Sequence, residues 1–569
     1  MSEASRLPAL LISDFNAQNL AALLNNLPEP SRFAVQVAPY GQVMQSLTDP
    51  TLDCWQPAPQ AVLVWTRPQS VLPDFLRALE YARPSPEAVL AQVDAFCDAI
   101  RSASARTRWI FVVTWTLPGH ERGLGLIDWK SETGLARLLA QANLRLAEDL
   151  QSVPNVFVLD GERWAAQPGA EHAHNPKLWY LGKIGFGAQV FQLAAQDFGA
   201  AVQAASGQAR KLLILDLDDT LWGGIVGDVG WEGIRLGGHD AIGEAFLDFQ
   251  AGLKALKNRG VLLGIVSKND EQLALEAIRR HPEMLLRQED FAGWRINWED
   301  KAANVQALVA DLNLGLQSTV FIDDNPIERS RVRQALPEVW VPDWPEDKLH
   351  FRRALQSLSC FDTPSLTEED RERTSLYVTE RQRASAREQA QSFEDWLRSL
   401  ETRVIVEPLT SVNLPRTAQL LNKTNQMNLA TRRLTEAELQ AWVSLPGKHM
   451  WTYRVQDRFG DSGLTGIASL QAEGASVRVV DFVLSCRVMG RRVEETILSH
   501  LAQAAKELGA RWIDATYLPT PKNGVCLSFW VERSGFERLP GGSSFRRSVD
   551  RPFPTPEGVE LVLAAQPTP

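Results

Sequence analysis

The run Leu212-Leu213-Ile214-Leu215 leads into Asp216-Leu217-Asp218-Asp219-Thr220 and then Leu221-Trp222-Gly223-Gly224. The apolar part reads as a buried parallel strand. Its carboxyl end is where open α/β sheets bind ligands. Carboxylates at i and i+2 point the same way only while a strand persists. At a strand end the second can swing over the first. One carboxylate is then placed to attack phosphorus and the next to manage a proton.

Two acids at a strand end say little alone, but three more pieces follow in order. Val261-Leu262-Leu263-Gly264-Ile265-Val266 is a second buried strand ending in Ser267-Lys268-Asn269. Lys301 sits in Trp298-Glu299-Asp300-Lys301 at the start of a helical pattern. Val320-Phe321-Ile322 is a third strand, ending in Asp323-Asp324-Asn325-Pro326. This ordered set resembles the haloacid dehalogenase (HAD) superfamily of phosphoryl-transfer enzymes.

The resemblance implies roles that fit the residue types. Phosphoryl transfer needs neutralised oxygens and an in-line attacker. Asp216 would be the nucleophile, forming an aspartyl-phosphate. Asp218 would protonate the leaving oxygen and later activate water. Ser267 would bond the phosphoryl oxygens, and Lys301 would supply fixed positive charge. Mg²⁺, which prefers oxygen ligands, would be held by Asp216, by Asp323 or Asp324, and by Asp218 through its backbone carbonyl.

Composition narrows the class. A chain of 569 residues has room for three or four domains, and 44% hydrophobic with 22% charged residues is ordinary for a globular protein. The net charge of −10 argues weakly against a nucleic-acid binder. The five cysteines, Cys54, Cys97, Cys360, Cys486 and Cys526, are scattered and odd in number, which suggests a reducing cytoplasm and no disulfide framework. No run approaches the ~18–20 apolar residues that span a bilayer, and no signal-peptide core follows the N-terminus.

The pattern of strands and helices divides the chain. Residues 1–207 alternate short apolar strands (Ala9–Asp14, Ala61–Trp65, Trp109–Val113, Val156–Asp160) with helical stretches, the best of them at 132–152. This reads as an α/β domain with a parallel sheet. Ser13-Asp14-Phe15-Asn16 follows its first strand, as the nucleophile does in SGNH-type hydrolases, and His172 or His174 could be imagined as the base. The Gly-Asp-Ser and Asp-x-x-His patterns are absent, so a non-catalytic role is expected for this SGNH-like domain. Residues 203–208 read as a linker.

Residues 208–345 are the HAD-like core. The gaps from Asp218 to Ser267 and from Ser267 to Lys301 hold no large lid, so the site should be uncapped and open. His239 lies in the first gap and reads as structural. Residues 346–390 form a charged helical connector whose runs, Glu368–Arg373 and Glu380–Arg383, read as solvated faces. Residues 391–550 form a third α/β unit, and the Pro-rich 551–569 should be a loosely ordered tail.

The third unit carries a second clue. In Ser485-Cys486-Arg487-Val488-Met489-Gly490-Arg491-Arg492 a strand runs into a helix. The stretch resembles the pyrophosphate-binding turn of GNAT-type acyltransferases, Arg/Gln-x-x-Gly-x-Gly/Ala. Arg487 and Gly490 match it; Arg492 stands where a small residue is expected. Backbone N–H groups at a helix start can cradle phosphate.

The order of the parts resembles the FkbH-like family over nearly the whole chain. The motifs that carry this are Asp216–Gly224, Ser267–Asp270, Asn422–Leu429 and Ser485–Arg491. The family implies transfer of a glyceryl unit from 1,3-bisphosphoglycerate, a small phosphorylated three-carbon donor, to the phosphopantetheine thiol of an acyl carrier protein, with Mg²⁺ as metal. A thiolate attacking the acyl carbon would expel phosphate, and the HAD site would remove the monoester. Cys486, beside Arg487, Arg491 and Arg492, is the candidate thiol; the alternative is a small core residue. Family members often carry a Cys before Ser-Lys-Asn, and here that position is Val266. Lys423, Asn425 and Asn428 are candidates for an acyl pocket, and Lys522 and Asn523 for contacts with a phosphopantetheine arm. Two other readings stay open: a HAD phosphatase acting on a phosphorylated metabolite, and a carrier-docking scaffold without turnover.

Overall fold

The computed structural model describes residues 6–564 apart from 29–31, 83, 118, 120, 132–133, 239, 367–373, 375–376, 378, 380–382, 384–385, 388–389 and 554–555. His239 and the charge run 368–373 lie outside the described residues. The chain forms two compact units, Met1–Arg210 with Ser357–Ser365, and Lys211–Gln356 with Leu366–Pro569.

The first unit is built on β1 (Leu7–Ser13), β2 (Phe33–Val37), β3 (Ala61–Trp65), β4 (Trp109–Val113) and β5 (Val156–Leu159), in the order β2-β1-β3-β4-β5. All pairs are parallel. β3 and β4 are buried at every position because helices cover both faces. β2 was not expected from the sequence: Phe-Ala-Val-Gln-Val is a short edge strand with one fully buried residue.

The second unit opens with a four-stranded parallel sheet of β6 (Leu212–Leu215), β7 (Leu262–Ser267), β8 (Phe291–Ile296) and β9 (Thr319–Ile322), ordered β8-β7-β6-β9. Leu215 is in register with Ile265 on one side and Ile322 on the other. That register sets Asp216 between the ends of its two neighbours. Helices Val226–Gly233 and Ala241–Asn258 fill the stretch from β6 to β7, and Glu271–Arg280 precedes β8. Among the described residues these stretches hold no further helix or strand apart from a short 3₁₀ turn at Gln288–Asp290. β8 is the element the sequence hid, since Gly293 and Arg295 break its apolar run.

The C-terminal sheet joins β10 (Thr402–Pro408), β11 (Met427–Asn428), β12 (Lys448–Asp457), β13 (Gly460–Glu473), β14 (Ser476–Leu484), β15 (Trp512–Thr516), β16 (Glu537–Arg538), β17 (Ser544–Ser548) and β18 (Val559–Leu563). Its order is β16-β17-β15-β14-β13-β12-β10-β18, a mixed sheet with β14 and β15 parallel. The helix Val493–Glu507 packs its apolar side into this core.

Two readings of the sequence need correction. The expected tail contains β18, which pairs in parallel with β10 from Thr402↔Val559 to Val406↔Leu563; its apolar residues outweigh the prolines before it. The connector is not simply solvated. Tyr377 packs against the core around β6 and β9. Arg383 is 2% exposed and donates to both oxygens of Asp457, at 2.6 and 2.8 Å.

Candidate active site

Asp216 follows the last residue of β6, with its backbone N–H bonded to the carbonyl of Ile322 at 3.1 Å. Its side chain is buried, 6% exposed. Lys301, the first residue of the helix Lys301–Asp311, is oriented by the Asp300 cap, whose carboxylate accepts from the N–H of Ala303 at 3.1 Å. Lys301 Nζ lies 2.6 Å from Asp323 Oδ2 and 3.0 Å from Asp216 Oδ1. The Asp216 contact is ionic without an aligned hydrogen bond, since Oδ1 is buried and unsatisfied. Ser267, 2% exposed at the end of β7, favours the charged form of the Asp216 carboxylate.

Electrostatics follow from burial. Desolvation pushes the Asp216 carboxyl up, against Lys301 and Ser267. Burial and the neighbouring Asp216 push Asp323 up to about 6. Burial works against charge on Lys301, yet Asp216 and Asp323 outweigh it and hold the ammonium above its ordinary value. One ammonium serves two buried carboxylates, which leaves a deficit of positive charge.

Carboxylate oxygens of Asp216, Asp323 and Asp324 lie within 4.8 Å of one another. An oxygen-only donor set with an orphaned buried oxygen fits a hard divalent cation such as Mg²⁺. The Asp218 side chain is not one of this group; the ligand expected from Asp218 is its backbone carbonyl. Asp218 Oδ1 accepts from Trp222 Nε1 at 2.9 Å and from the N–H of Val226 at 3.1 Å, and Oδ2 accepts from Asn269 Nδ2 at 2.8 Å. Burial raises its pKa, chiefly against the bonds from Val226 and Trp222. The carboxyl is thus fixed by three donors and is not one of the cation group.

Sequence reasoning missed four contributors. Trp222, wholly buried, and Asn269, 3% exposed, aim Asp218. Arg329 Nη1 donates to the carbonyls of Asp323 and Asp324 at 2.8 and 2.7 Å. Lys348, on a turn far along the chain, donates to the carbonyl of Asp219 at 2.7 Å and pairs with Asp324 at 3.2 Å. Only Trp222 and Asn269 had a signal, their adjacency to the acidic and serine motifs. Val266 is fully buried within the core around β6 and β9.

The C-terminal candidates are not gathered in one polar site. Cys486 is exposed, on the short 3₁₀ turn Cys486–Val488 rather than at the start of the long helix. Arg491 is buried, bonding Asp457 Oδ2 at 3.1 Å, and Arg492 pairs with Glu394 at 2.6 Å. Arg487 donates to Ser485 Oγ at 3.3 Å. These arginines thus have other partners than the thiol. Gly490 takes φ 75°, and its N–H, the expected phosphate donor, is bonded to the protein's own Glu494 at 2.8 Å.

Asn523 is a brace, not a free contact. Its amide donates to the carbonyls of Asn428 and Leu518, at 3.0 and 2.8 Å, and its oxygen accepts from Thr520 N–H and the Tyr517 hydroxyl, each at 2.7 Å. Those bonds fix β11 where β14 and β15 part: Leu429 N–H reaches Phe482 and Leu518 N–H reaches Leu429. Asn428 is buried with both polar groups bonded, and Asn425 accepts from Arg433. Lys522 is exposed beside this brace.

In the first unit, Asp14 accepts from the Arg67 backbone N–H at 2.8 Å and from its guanidinium at 2.7 Å. Ser13 Oγ accepts from Phe15 N–H at 3.1 Å, and His174 Nδ1 lies 3.2 Å from the Gly185 carbonyl. These partners serve local structure. Among the described residues, no helix is long and apolar enough to cross a membrane.

No family model and no curated protein matches the chain. Solved structures do. The N-terminal part of BF1531 from Bacteroides fragilis, containing a phosphatase domain complexed with Mg, is 31% identical, with a TM-score of 0.57, over 63% of this chain and 95% of that one. The ribosomal-protein-S18-alanine N-acetyltransferase of Escherichia coli is 10% identical, TM-score 0.19, over 26% of this chain and 94% of its own. A spermidine N-acetyltransferase from Vibrio cholerae in complex with CoA and spermine is 13% identical, TM-score 0.21, over 26% and 96%. Only the first is near enough to bear on family, and by its identity and coverage the chain belongs to the same family as BF1531, with a HAD-type phosphatase domain.

Proposed function

We propose that this protein is a Mg²⁺-dependent phosphatase that acts on a phosphorylated three-carbon acyl unit and passes that unit to the thiol of an acyl carrier protein. The observation that carries the phosphatase reading is the buried pairing of Lys301 with both Asp216 and Asp323 at the ends of adjacent strands. It supports reading Asp216 as a nucleophilic carboxylate beside the fixed positive charge of Lys301.

In this reading Asp216 attacks the phosphorus of the monoester, and the bond to the leaving oxygen breaks as Asp218 delivers its proton there. Asp218 then takes a proton from water, whose oxygen attacks the phosphorus of the aspartyl-phosphate and releases inorganic phosphate and free Asp216. Ser267 donates to a phosphoryl oxygen, and Lys301 balances the charge as it builds. Asp216, Asp323 and Asp324, with the carbonyl of Asp218, would hold Mg²⁺, which neutralises phosphoryl oxygens when bound.

The transfer step rests on the resemblance to the FkbH-like family and on one structural observation. Among the five cysteines Cys486 alone is exposed, whereas Cys97 and Cys526 are buried and Cys54 and Cys360 are partly so. Its thiolate attacks the acyl carbon of an acyl phosphate, expels phosphate, and yields the acyl to the carrier thiol.

The test is phosphate release from a three-carbon phosphate monoester with Mg²⁺, alongside intact-protein mass spectrometry of enzyme and phosphopantetheinylated carrier with a 1,3-bisphosphoglycerate-generating system. Phosphate release lost in Asp216→Asn supports the hydrolytic site. A glyceryl mass on the carrier supports transfer; phosphate release with no adduct on either protein removes the transfer step and leaves the phosphatase.

A further inference from the structure

A cleft of about 310 Å³ opens beside the start of the helix Val493–Glu507, lined by Arg492, Glu495, Arg533, Gly535, Arg547 and Phe553 among others. Three guanidiniums face one carboxylate there. Two are already paired: Arg533 donates to Glu495 Oε1 at 2.6 and 2.9 Å, and Arg492 bonds Glu394 at 2.6 Å.

Arg547 differs. It is 6% exposed and lies on β17, with Nη1 donating to the Gly535 carbonyl at 2.7 Å and Nη2 to the carbonyls of Arg551 and Pro552 at 3.3 and 2.7 Å. Its Nε is buried with no partner. Among the described residues no acidic side chain pairs with it, and the Phe553 ring covers one face with its centroid 4.8 Å away. Burial, followed by repulsion from Arg551, draws its pKa down. A buried charge is normally paired, because leaving it uncompensated costs several kcal/mol. Gly535 is fitted to this arginine: it takes φ 69°, and a Cβ there would lie 2.8 Å from Nη1.

We propose that this cleft is an anion site for the phosphate group of a small phosphate ester or diphosphate, with Arg547 as its buried anchor and Arg533 and Arg492 at its rim. Guanidinium forks match phosphate oxygens and keep their charge at any physiological pH. The volume is at the small end of ligand sites, roughly 300–1,000 Å³. The site is separate from the Gly490 turn, whose N–H is taken by Glu494, and it is independent of the phosphatase reading.

The experiment is calorimetric titration of inorganic pyrophosphate into the full chain in EDTA, for the wild type, Arg547→Met, Arg547→Lys and Arg533→Gln. The expected result is a binding event in the wild type that Arg547→Met removes and Arg533→Gln weakens about fivefold, with Arg547→Lys in between. Any binding at the Asp216 site persists in all four proteins and serves as the internal reference. If Arg547→Met does not fold, Arg533→Gln decides. Superimposable isotherms for wild type and Arg533→Gln, or no binding event in the wild type beyond any at the Asp216 site, overturn the proposal.

Discussion

Lys348 reaches Asp324: its Nζ lies 3.2 Å from Oδ2 while donating to the carbonyl of Asp219 at 2.7 Å. One ammonium therefore ties the loop after β6 to the loop after β9. Asp219 itself takes φ 52°, and its side chain accepts from the N–H of Gly224 at 3.0 Å. The turn that carries Asp218 is thus held from both sides. Residues that orient metal ligands typically change affinity or activity by about 10–100-fold when removed. Lys348→Met should weaken Mg²⁺ binding by about tenfold and lower kcat alongside, with Lys348→Arg recovering part of both. Calorimetric Mg²⁺ titration checks this without turnover. Unchanged Mg²⁺ affinity would sink the role.

Removing Lys301 tests the charge balance. With Lys301→Met, two buried carboxylates, Asp216 and Asp323, keep no cation. Breaking a buried pair from one side costs about 3–5 kcal/mol. The variant should melt well below the wild type in EDTA and regain more of that loss on adding Mg²⁺ than the wild type gains. Thermal melts with EDTA and with Mg²⁺ give the comparison. Equal Mg²⁺-induced shifts in the two proteins would mean that the carboxylates do not share a cation site.

The acidic and serine motifs were legible because their chemistry is written at strand ends, where a run such as Leu212–Leu215 announces both the strand and its exit. Lys348 was not, because its contact with Asp219 joins residues 129 apart. No local pattern marks a lysine whose meaning comes from chain closure. Asn523 misled for the converse reason. As a candidate contact for a phosphopantetheine arm it should be accessible, but the fold turns Asn523 inward, where an unpaired amide would be costly, and every polar atom finds a backbone or hydroxyl partner. β18 was hidden by the prolines before it, since its edge pairing with β10 depends on a strand more than 150 residues earlier.

Trp222 and Asn269 should matter through Asp218 alone. Each donates to its carboxylate, at 2.9 and 2.8 Å. A hydrogen bond to a charged group contributes about 1.5–3 kcal/mol, so Asn269→Ala should lower kcat by roughly ten- to a hundredfold with little change in KM. Trp222→Phe keeps most of the buried ring and deletes the donor, and should act in the same direction. The two effects should be less than additive, because both act on one carboxyl. Steady-state kinetics of the single and double variants provide the check, and full additivity would argue for unrelated structural damage.

The C-terminal core carries a pH dependence with a definite sign. His500 is 8% exposed, with Nδ1 2.8 Å from the Tyr453 hydroxyl and Trp451 edge-on at 5.2 Å. Burial draws its pKa from 6.5 to about 4. The fold therefore favours neutral imidazole, and the unfolded chain binds the extra proton between those values. No stability is lost to this group above about pH 6.5. It falls as pH drops through 6.5, by about 2 kcal/mol at pH 5, and levels off below about pH 4. His500→Gln should flatten this decline while lowering stability at neutral pH. Urea unfolding at pH 7 and pH 5, wild type against variant, measures it; an equal loss in both proteins would assign the acid sensitivity elsewhere.

Separating the two chemistries of the proposed reaction turns on Cys486. It lies on the turn after β14, whereas Asp216 follows β6, and those two strands belong to different sheets. If the thiol carries the acyl unit, Cys486→Ser should leave phosphate release from a monoester within about twofold of wild type, since surface substitutions away from the core change stability by only about 0.5 kcal/mol. The same variant should abolish the acyl mass on the enzyme and lower carrier loading to the rate of direct attack by the carrier thiol. Asp216→Asn should do the reverse: it should stop monoester hydrolysis and leave a phosphorylated acyl adduct, heavier by one phosphate, on Cys486 or the carrier. Mass spectrometry of both proteins distinguishes these products in one experiment. Full carrier loading by Cys486→Ser would rule out an enzyme-bound thioester there and leave the carrier's own thiol as the attacking group.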